Sequence, residues 1–183
     1  MSELDAVALY ERASARAVEV AAGIRPDQLD DPTPCSAWSV QDLLDHLVAG
    51  TGYLRGAMAG TQTPPPVGAT AADFRAGVQA CVAGLAHPNA LGRTCVSPLG
   101  LEWTVQDATA GTFMDVLAHS WDLAVATGQS TVLDPDLVDA CVAMFLPDMP
   151  ELGRAGGLVG PAVAVPAGAS AQDRLLGAMG RQP

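Results

Sequence analysis

VQDATAGTFMDVLAHSWDLAVA, residues 105–126, predicts a long helix that stops at Gly128. Its apolar residues cover one face and both flanks: Phe113, Leu117, Trp121, Ala124, Val116, Ala118 and Leu123. Asp115, His119 and Asp122 lie roughly opposite the apolar face. A polar stripe in that position is usually solvated. A helix that is apolar nearly all round, however, is typical of the centre of a bundle, and its narrow polar stripe then faces a cleft.

Similar apolar periodicity extends outward from this helix in both directions. It predicts further helices at 3–23, 40–58, 70–86, 135–146 and 171–179. Residues 60–68, with three successive prolines, are a predicted linker, and residues 93–102 are a short hairpin or an extended connection. The fold class is therefore all-α. We expect one domain over 1–183, with the Gly-, Pro- and Ala-rich 147–169 region opening a surface-wrapping C-terminal segment, 147–183.

Composition restricts the class of protein. Hydrophobic residues make up 49% of the 183 residues and charged residues 16%, which is too apolar for a disordered chain. Aromatic residues are only 4%, so Leu, Val and Ala must fill the core. The net charge is −11, and all nine basic residues are arginines. Such a chain is repelled by nucleic acid and by anionic membranes, so we expect neither as a partner.

The expected cellular location is inferred from two targeting features that the sequence does not show. No run of about 18 apolar residues predicts a transmembrane helix, and the acidic N-terminus does not resemble a secretory signal. We therefore expect a cytoplasmic protein, in which its four cysteines are reduced. None forms a C-x-x-C pair: Cys35, Cys81, Cys95 and Cys141. A buried or packing thiol is the favoured role of Cys35, with a nucleophile as the alternative.

One pentapeptide pattern occurs twice, as Trp38-Ser-Val-Gln-Asp42 and as Trp103-Thr-Val-Gln-Asp107. Each places a hydroxyl side chain three residues before a carboxylate, which is the pattern of a capping box. Ser170-Ala-Gln-Asp173 repeats the box. The first two boxes predict the starts of the helices that carry His46 and His119.

The chain has three histidines, of which His87 precedes Pro88 in a predicted loop and is set aside as a ligand. Asp115 lies one turn before His119, so carboxylate and imidazole share a helix face. With His46 from an adjacent helix, the three side chains would hold a metal ion and leave coordination positions open. Spacing alone also fits a solvated polar stripe, so both interpretations stay open at this point.

Two segments carry a family resemblance. TPCSAWSVQDLLDHL, residues 33–47, resembles the "TPC-x-x-W-x-V-x-D-L-L-x-H-L" motif of the DinB-like, mycothiol-dependent maleylpyruvate isomerase N-terminal domain family. DVLAHSWDLA, residues 115–124, is similar to the family's second motif, an acid followed after three residues by H-x-W-D-L-A. The tail, GPAVAVP at 160–166 and DRLL at 173–176, resembles a subgroup described only as metal-binding proteins.

The resemblance implies a four-helix bundle with an up-down-down-up layout and a long crossover. It also implies a divalent ion held by His46, Asp115 and His119. Zinc is the expected ion, and nickel, iron or manganese would also fit these ligands. In this setting Asp122 would orient a histidine through its other ring nitrogen, or else cap a surface.

Two departures limit what the resemblance implies. The maleylpyruvate isomerase has Glu where this chain has Asp115, a side chain one methylene shorter that would bind through one oxygen or through water. That enzyme also has a further C-terminal domain, for which the residues after the fourth helix are too few. We therefore do not extend maleylpyruvate isomerisation to this chain.

The leading hypothesis is a metal-dependent enzyme that acts with a small thiol such as mycothiol. As a transferase or isomerase, it would use the ion to activate a thiol or water, and the thiolate would attack an electrophilic substrate. The alternative is a non-catalytic metal-binding module with a structural or ligand-sensing role. A third interpretation is a plain bundle without an ion, and a homodimer is compatible with all three.

Overall fold

The computed structural model describes residues 5–146 and 149–183, which form two compact units, Met1–Thr131 and Val132–Pro183. The first unit contains α1 (Ala6–Ala22), a 3₁₀ turn (Pro26–Gln28), α2 (Val40–Ala59), α3 (Ala71–Leu85), β1 (Thr94–Val96), β2 (Glu102–Thr104) and α4 (Val105–Thr127). The second contains α5 (Pro135–Phe145), α6 (Met149–Ala155) and α7 (Ala171–Ala178). This confirms the all-α class. Among the described residues, no helix is both long and apolar enough to cross a membrane.

Capping boxes begin four of the described α-helices, among them the two for which the repeated pentapeptide predicted it. Ser39 caps α2 together with Asp42, and Thr104 caps α4 in the same way, since each hydroxyl accepts the backbone N–H of the carboxylate residue. The predicted box at Ser170 is also present. The sequence analysis missed a fourth box, in which Thr70 begins α3. Each box pairs donors that the first helical turn would otherwise leave without partners.

Contacts near the helix ends fix the directions of three helices. The amide of Gln129, just after α4, donates to the carbonyl of Val20 near the end of α1 at 2.9 Å, so α1 and α4 are parallel. The indole Nε1 of Trp103, just before α4, donates to Tyr53 Oη in the second half of α2 at 2.9 Å. Helix α2 is therefore antiparallel to α4 and, in consequence, to α1.

The third helix is parallel to the second. The Thr51 side chain of α2 lies against Gly77 of α3. About two turns further along both helices, the Met58 side chain lies against Gly84. The four helices therefore run up, down, down and up, as predicted. Helix α1 packs against α3 and α4, and α2 packs against the same two helices.

Two parallel consecutive helices require a connection that runs back along the bundle, and the proline-rich residues 60–70 provide it. Gly60 ends α2 in the left-handed conformation, with φ of 71°. At the far end, the Asp45 carboxylate accepts the backbone N–H groups of Gly68 and Ala69 at 3.0 and 2.6 Å. These bonds tie the crossover to the first half of α2.

The predicted hairpin is present. β1 and β2 pair antiparallel, with Cys95 opposite Trp103. The turn between them closes when the Gly100 N–H donates to the Ser97 carbonyl at 2.9 Å, and Gly100 takes φ of 77°. Because the second strand leads directly into α4, the hairpin fixes where that helix begins.

Helix α4 is the most enclosed element of the first unit. Every residue from 116 to 124 is buried, which covers two and a half turns and therefore all sides of the helix. This confirms that the helix is central. Its neighbours contribute fully buried aromatic rings, including Tyr10 and Phe74, to a core that is otherwise mainly Leu, Val and Ala. All four cysteines are thiols, as predicted.

The second unit contains an unpredicted helix. Residues 147–169 were expected to be irregular, yet α6 occupies Met149–Ala155; residues 147 and 148 lie outside the described part. Seven residues are too few to carry a helical period, so the pattern gave no signal. Residues 3 and 4 of the predicted first helix also lie outside the described part. The division into one domain, 1–183, with a surface segment at 147–183 stays a prediction.

The close approach of α2 and α3 gives a stability prediction. A Cβ atom added at Gly77 would overlap the Thr51 side chain. We expect Gly77→Ala to lower the free energy of unfolding, measured by urea titration, by about 1–3 kcal/mol, because overpacking forces the helices apart. The control is Gly50→Ala, whose methyl would meet nothing within 4 Å. It should raise stability by about 0.5–1 kcal/mol. A Gly77→Ala protein as stable as the Gly50→Ala protein would contradict this packing.

Candidate metal centre

Three predicted ligands meet between α2 and α4. His46 Nε2 lies 3.2 and 3.1 Å from the two carboxylate oxygens of Asp115, and His119 Nε2 lies 3.3 Å from Asp115 Oδ1. The two imidazole rings are 4.8 Å apart between centroids. The shorter Asp115 side chain therefore still reaches both rings. One donor atom from each of the three residues lies within 4.8 Å of the others.

These separations match the spacing of ligands around one small cation. With metal–ligand bonds near 2.0–2.1 Å, two ligands of a tetrahedral zinc ion are about 3.3 Å apart. The centre is also accessible from one side, because the His46 and Asp115 side chains are each 33% exposed whereas that of His119 is only 8% exposed. An ion at this position would be held from the protein side and would face solvent on the other.

The second nitrogen of His119 is held by Asp122. That carboxylate is fully buried and accepts from His119 Nδ1 at 2.8 Å. It also accepts from the Cys35 thiol at 3.4 Å. A carboxylate on Nδ1 fixes the ring orientation and leaves Nε2 directed toward Asp115, which is the arrangement that supports a histidine ligand. The orienting role suggested for Asp122 therefore has the required geometry.

The loop before α2 brings Cys35 and Trp38 to the centre. The Thr33 hydroxyl lies 3.1 Å from the Cys35 carbonyl and 2.9 Å from the Trp38 carbonyl, and it accepts the Cys35 N–H at 3.2 Å. The Trp38 ring then stacks at tilted angles on His46 and His119, with centroid separations of 4.7 and 5.7 Å. These bonds hold residues 33–38, which we call the clamp loop, so that it places one thiol and one indole beside the two imidazoles.

A second set of donors shares His119. Cys35 Sγ, His119 Nδ1 and one Asp122 oxygen also lie within 4.8 Å of one another. The Cys35 sulfur is 3.9 Å from Nδ1. Because Asp122 and His119 already form a short hydrogen bond on this side, we regard the set as the support of the first group. The favoured role of Cys35 as a packing thiol fits this position.

Sequence reasoning identified His46, Asp115, His119 and Asp122, and the structure brings all four together. His87 lies in the exposed turn after α3 and outside this group, as expected. The reasoning did not identify Trp38 as part of the centre. Its signal was available, because Trp38 directly precedes the capping residue of the helix that carries His46.

The contacts at this centre lower the pKa of Asp115 and raise that of His119. Burial opposes the ionisation of Asp115, but the charge of His119 and hydrogen bonds from both histidines hold the pKa of the carboxyl well below its usual range. Burial likewise disfavours a charged His119, yet the Asp115 charge and bonds to Asp115, Asp122 and Cys35 raise its pKa well above the ordinary value. Without an ion, Asp115 and His119 are therefore a charged pair at neutral pH.

The two shifts act over different pH ranges. The stability that Asp115 contributes is complete above its unfolded-state pKa of about 3.9 and is lost as pH falls through the depressed folded-state value. The stability that His119 contributes is complete below about pH 6.5 and is lost as pH rises through its raised folded-state pKa. Both contributions are thus complete between about pH 4 and pH 6.5.

We compare the unfolding free energy of chelator-treated wild-type protein with that of an Asp115→Asn/His119→Gln double variant. We expect the wild type to be more stable, and the difference to be largest near pH 5. This variant keeps the shapes but removes both charges. The advantage should shrink by about 1–3 kcal/mol between pH 5 and pH 9, because above about pH 6.5 the unfolded chain gives up the His119 proton while the folded protein still holds it. Urea titrations of both proteins at each pH measure it. A difference that does not change with pH would contradict the charged pair.

Known sequences resemble this chain over most of its length. The model of the mycothiol maleylpyruvate isomerase N-terminal domain matches residues 10–124, which include all three candidate ligands. Two uncharacterized proteins of Mycobacterium tuberculosis, from strains CDC 1551 and H37Rv, are each 36% identical over 163 residues, covering 86% of this chain and 81% of the relative. No solved structure matches significantly. The chain therefore belongs to the mycothiol maleylpyruvate isomerase N-terminal domain family.

Proposed function

We propose that this protein is a divalent-metal-dependent enzyme that acts with a small thiol, mycothiol, on an electrophilic substrate. The reaction class is transfer to sulfur or thiol-assisted isomerisation. The observation that carries the proposal is the convergence of two imidazoles and one carboxylate from two helices, with separations of 3.1–3.3 Å between neighbouring donor atoms. The identity of the thiol is inferred from the name of the family. The substrate is inferred to be an electrophile, because a thiol nucleophile requires one.

The donor set fits a borderline cation. Two neutral imidazoles and a carboxylate are the ligands of many catalytic zinc sites, and three protein ligands leave room for a further one. His46, Asp115 and His119 would hold the ion. When bound, it would supply Lewis acidity that favours the thiolate or hydroxide form of a coordinated thiol or water.

The surrounding residues have supporting roles. Asp122 keeps His119 in one orientation and accepts a hydrogen bond from its Nδ1–H, so that Nε2 is available as a ligand. Trp38 covers one side of both imidazoles and limits the directions from which water enters. The partly exposed His46 and Asp115 mark the side on which a thiol and its substrate would approach.

Zinc binding tests the ligand set. After incubation with zinc and dialysis, we expect elemental analysis to find about one ion per chain in the wild type and less than about one-tenth in His119→Ala, because two remaining ligands hold zinc weakly. His87→Ala, the third histidine, is the matched control and should retain the full ion. Since the ion must displace the His119 Nε2 proton, calorimetry in buffers of different ionisation enthalpy should report release of about one proton per ion. An equal zinc content in the His119→Ala and His87→Ala proteins would exclude this site.

Thiol dependence is tested with cobalt in place of zinc. We expect mycothiol to add a sulfur-to-cobalt charge-transfer band to the absorption spectrum of the cobalt protein. The Cys35→Ser variant is the control, because it removes the one thiol beside the centre, and the band should still appear when mycothiol is added. With a panel of electrophiles, thioether formation should exceed that of His119→Ala by at least about a hundredfold, the contribution of an activated nucleophile.

The non-catalytic alternative predicts a different result in these experiments. A protein that binds zinc but forms no sulfur–cobalt band and turns over no electrophile above the His119→Ala level is a metal-binding module. Loss of helical circular dichroism on chelation would then identify the ion as structural. The proposal also includes a cytoplasmic location and a homodimer.

A further inference from the structure

A second site lies at the opposite end of α2 from the clamp loop. A cavity of about 660 Å³ opens between the C-terminal ends of α2 and α3 and the turn that follows α3. Its size is within the range of small-molecule sites, about 300–1,000 Å³. Residue 55, the first α2 residue in its lining, is nine positions after His46, a rise of about 14 Å along the helix. The cavity is therefore distinct from the candidate metal centre.

The polar side chains that line this cavity carry hydrogen-bond donors and no negative charge. Arg55, Arg93, His87 and Asn89 contribute to it, and no aspartate or glutamate does. Two of the nine basic residues of a chain with net charge −11 thus face one cavity. In the portion of the chain that the structure describes, neither guanidinium forms an ion pair with a carboxylate. A positive cavity in an otherwise acidic protein attracts anions and excludes cations.

His87 accepts a long hydrogen bond from the turn after α3. Its Nδ1 accepts the backbone N–H of Asn89 at 3.5 Å. In the neutral ring the proton then resides on Nε2, which makes that nitrogen a further donor. Two guanidiniums, an imidazole N–H and a carboxamide are the donor set that oxyanions require, and guanidinium binds carboxylate or phosphate through two parallel bonds.

The other walls are apolar. Met58, Ala59 and Ala80 line the cavity on the helix side, and Ala90 closes it beneath the turn. The Met58 thioether lies directly against Gly84, where a Cβ atom would come within 2.8 Å of its methyl group. A ligand that fills the space must therefore combine an anionic head with an apolar body.

We propose that this cavity binds a small organic oxyanion, a phosphate or carboxylate with a short apolar body, with Arg55 and Arg93 on the head group and Met58 and the alanines on the body. The proposal does not depend on the metal centre, because the two sites share no residue. The ligand would be an effector or a second reactant rather than a ligand of the ion.

The test uses three probes with the same six-carbon body: hexyl phosphate, hexanoate and hexanol. Calorimetric titrations at constant ionic strength, with zinc-loaded and with chelator-treated full-length protein, measure each affinity. We expect saturable binding of at least one anion and none of hexanol at the same concentrations. The stronger anion identifies the head group. Arg55→Gln and Arg93→Gln should each weaken binding by about tenfold, the effect of losing one charge-assisted pair.

Arg75→Gln is the matched control, because Arg75 is an exposed arginine of α3 that does not line the cavity. It should bind as tightly as the wild type. Thermal unfolding of each variant checks that these exposed substitutions leave the fold intact. Equal binding of hexanol and the anions, wild-type affinity in Arg55→Gln and Arg93→Gln, or no saturable anion binding at millimolar concentrations would each overturn the proposal. None of these outcomes would bear on the proposed zinc site, which involves other residues.

Discussion

The enclosure of the central part of α4, residues 116–124, determines how the polar side chains around it are arranged. Residues 116–124 are buried on every side, and among them are one histidine and one carboxylate. A buried imidazole or carboxylate without a partner costs several kcal/mol, so each must be bonded. Asp122 accepts from His119 and Cys35, His119 pairs with Asp115, and Asp115 reaches His46. One chain of hydrogen bonds thereby links the clamp loop, α4 and α2.

This hydrogen-bonded chain also prepares the centre for a cation. The carboxylate at Asp115 is ionised and both imidazoles are positioned before any ligand arrives, so metal binding requires loss of one proton from His119 and a shift of the His46 proton from Nε2 to Nδ1. The up-down-down-up layout matters here, because it places α2 antiparallel to α4 and brings the first half of α2 to the level of the middle of α4. Stability and chemistry therefore depend on the same three side chains, and substitutions at them will change both.

Much of this arrangement was readable from the sequence because the decisive signals are local. Hydroxyl and carboxylate residues three apart begin the helices, glycines end them, and Asp115 and His119 share a face by helical spacing alone. The contribution of His46 was not local: the sequence offered it only as one of two interpretations, and the family resemblance favoured it, since only tertiary packing brings α2 beside α4. Trp38, the Thr70 box and the short helix α6 were missed. Trp38 acts through a loop conformation, and seven residues are too few for a periodic signal.

The central claim is that one cation lies among His46, Asp115 and His119 rather than on the Cys35 and Asp122 side of the same imidazole. Anomalous diffraction at the zinc absorption edge, from crystals of the zinc-loaded protein, locates the ion directly. The account predicts one strong peak about 2.0–2.2 Å from the Nε2 atoms of both histidines and from a carboxylate oxygen of Asp115. A peak bonded to His119 Nδ1 and the Cys35 sulfur, or no peak between α2 and α4, would contradict it.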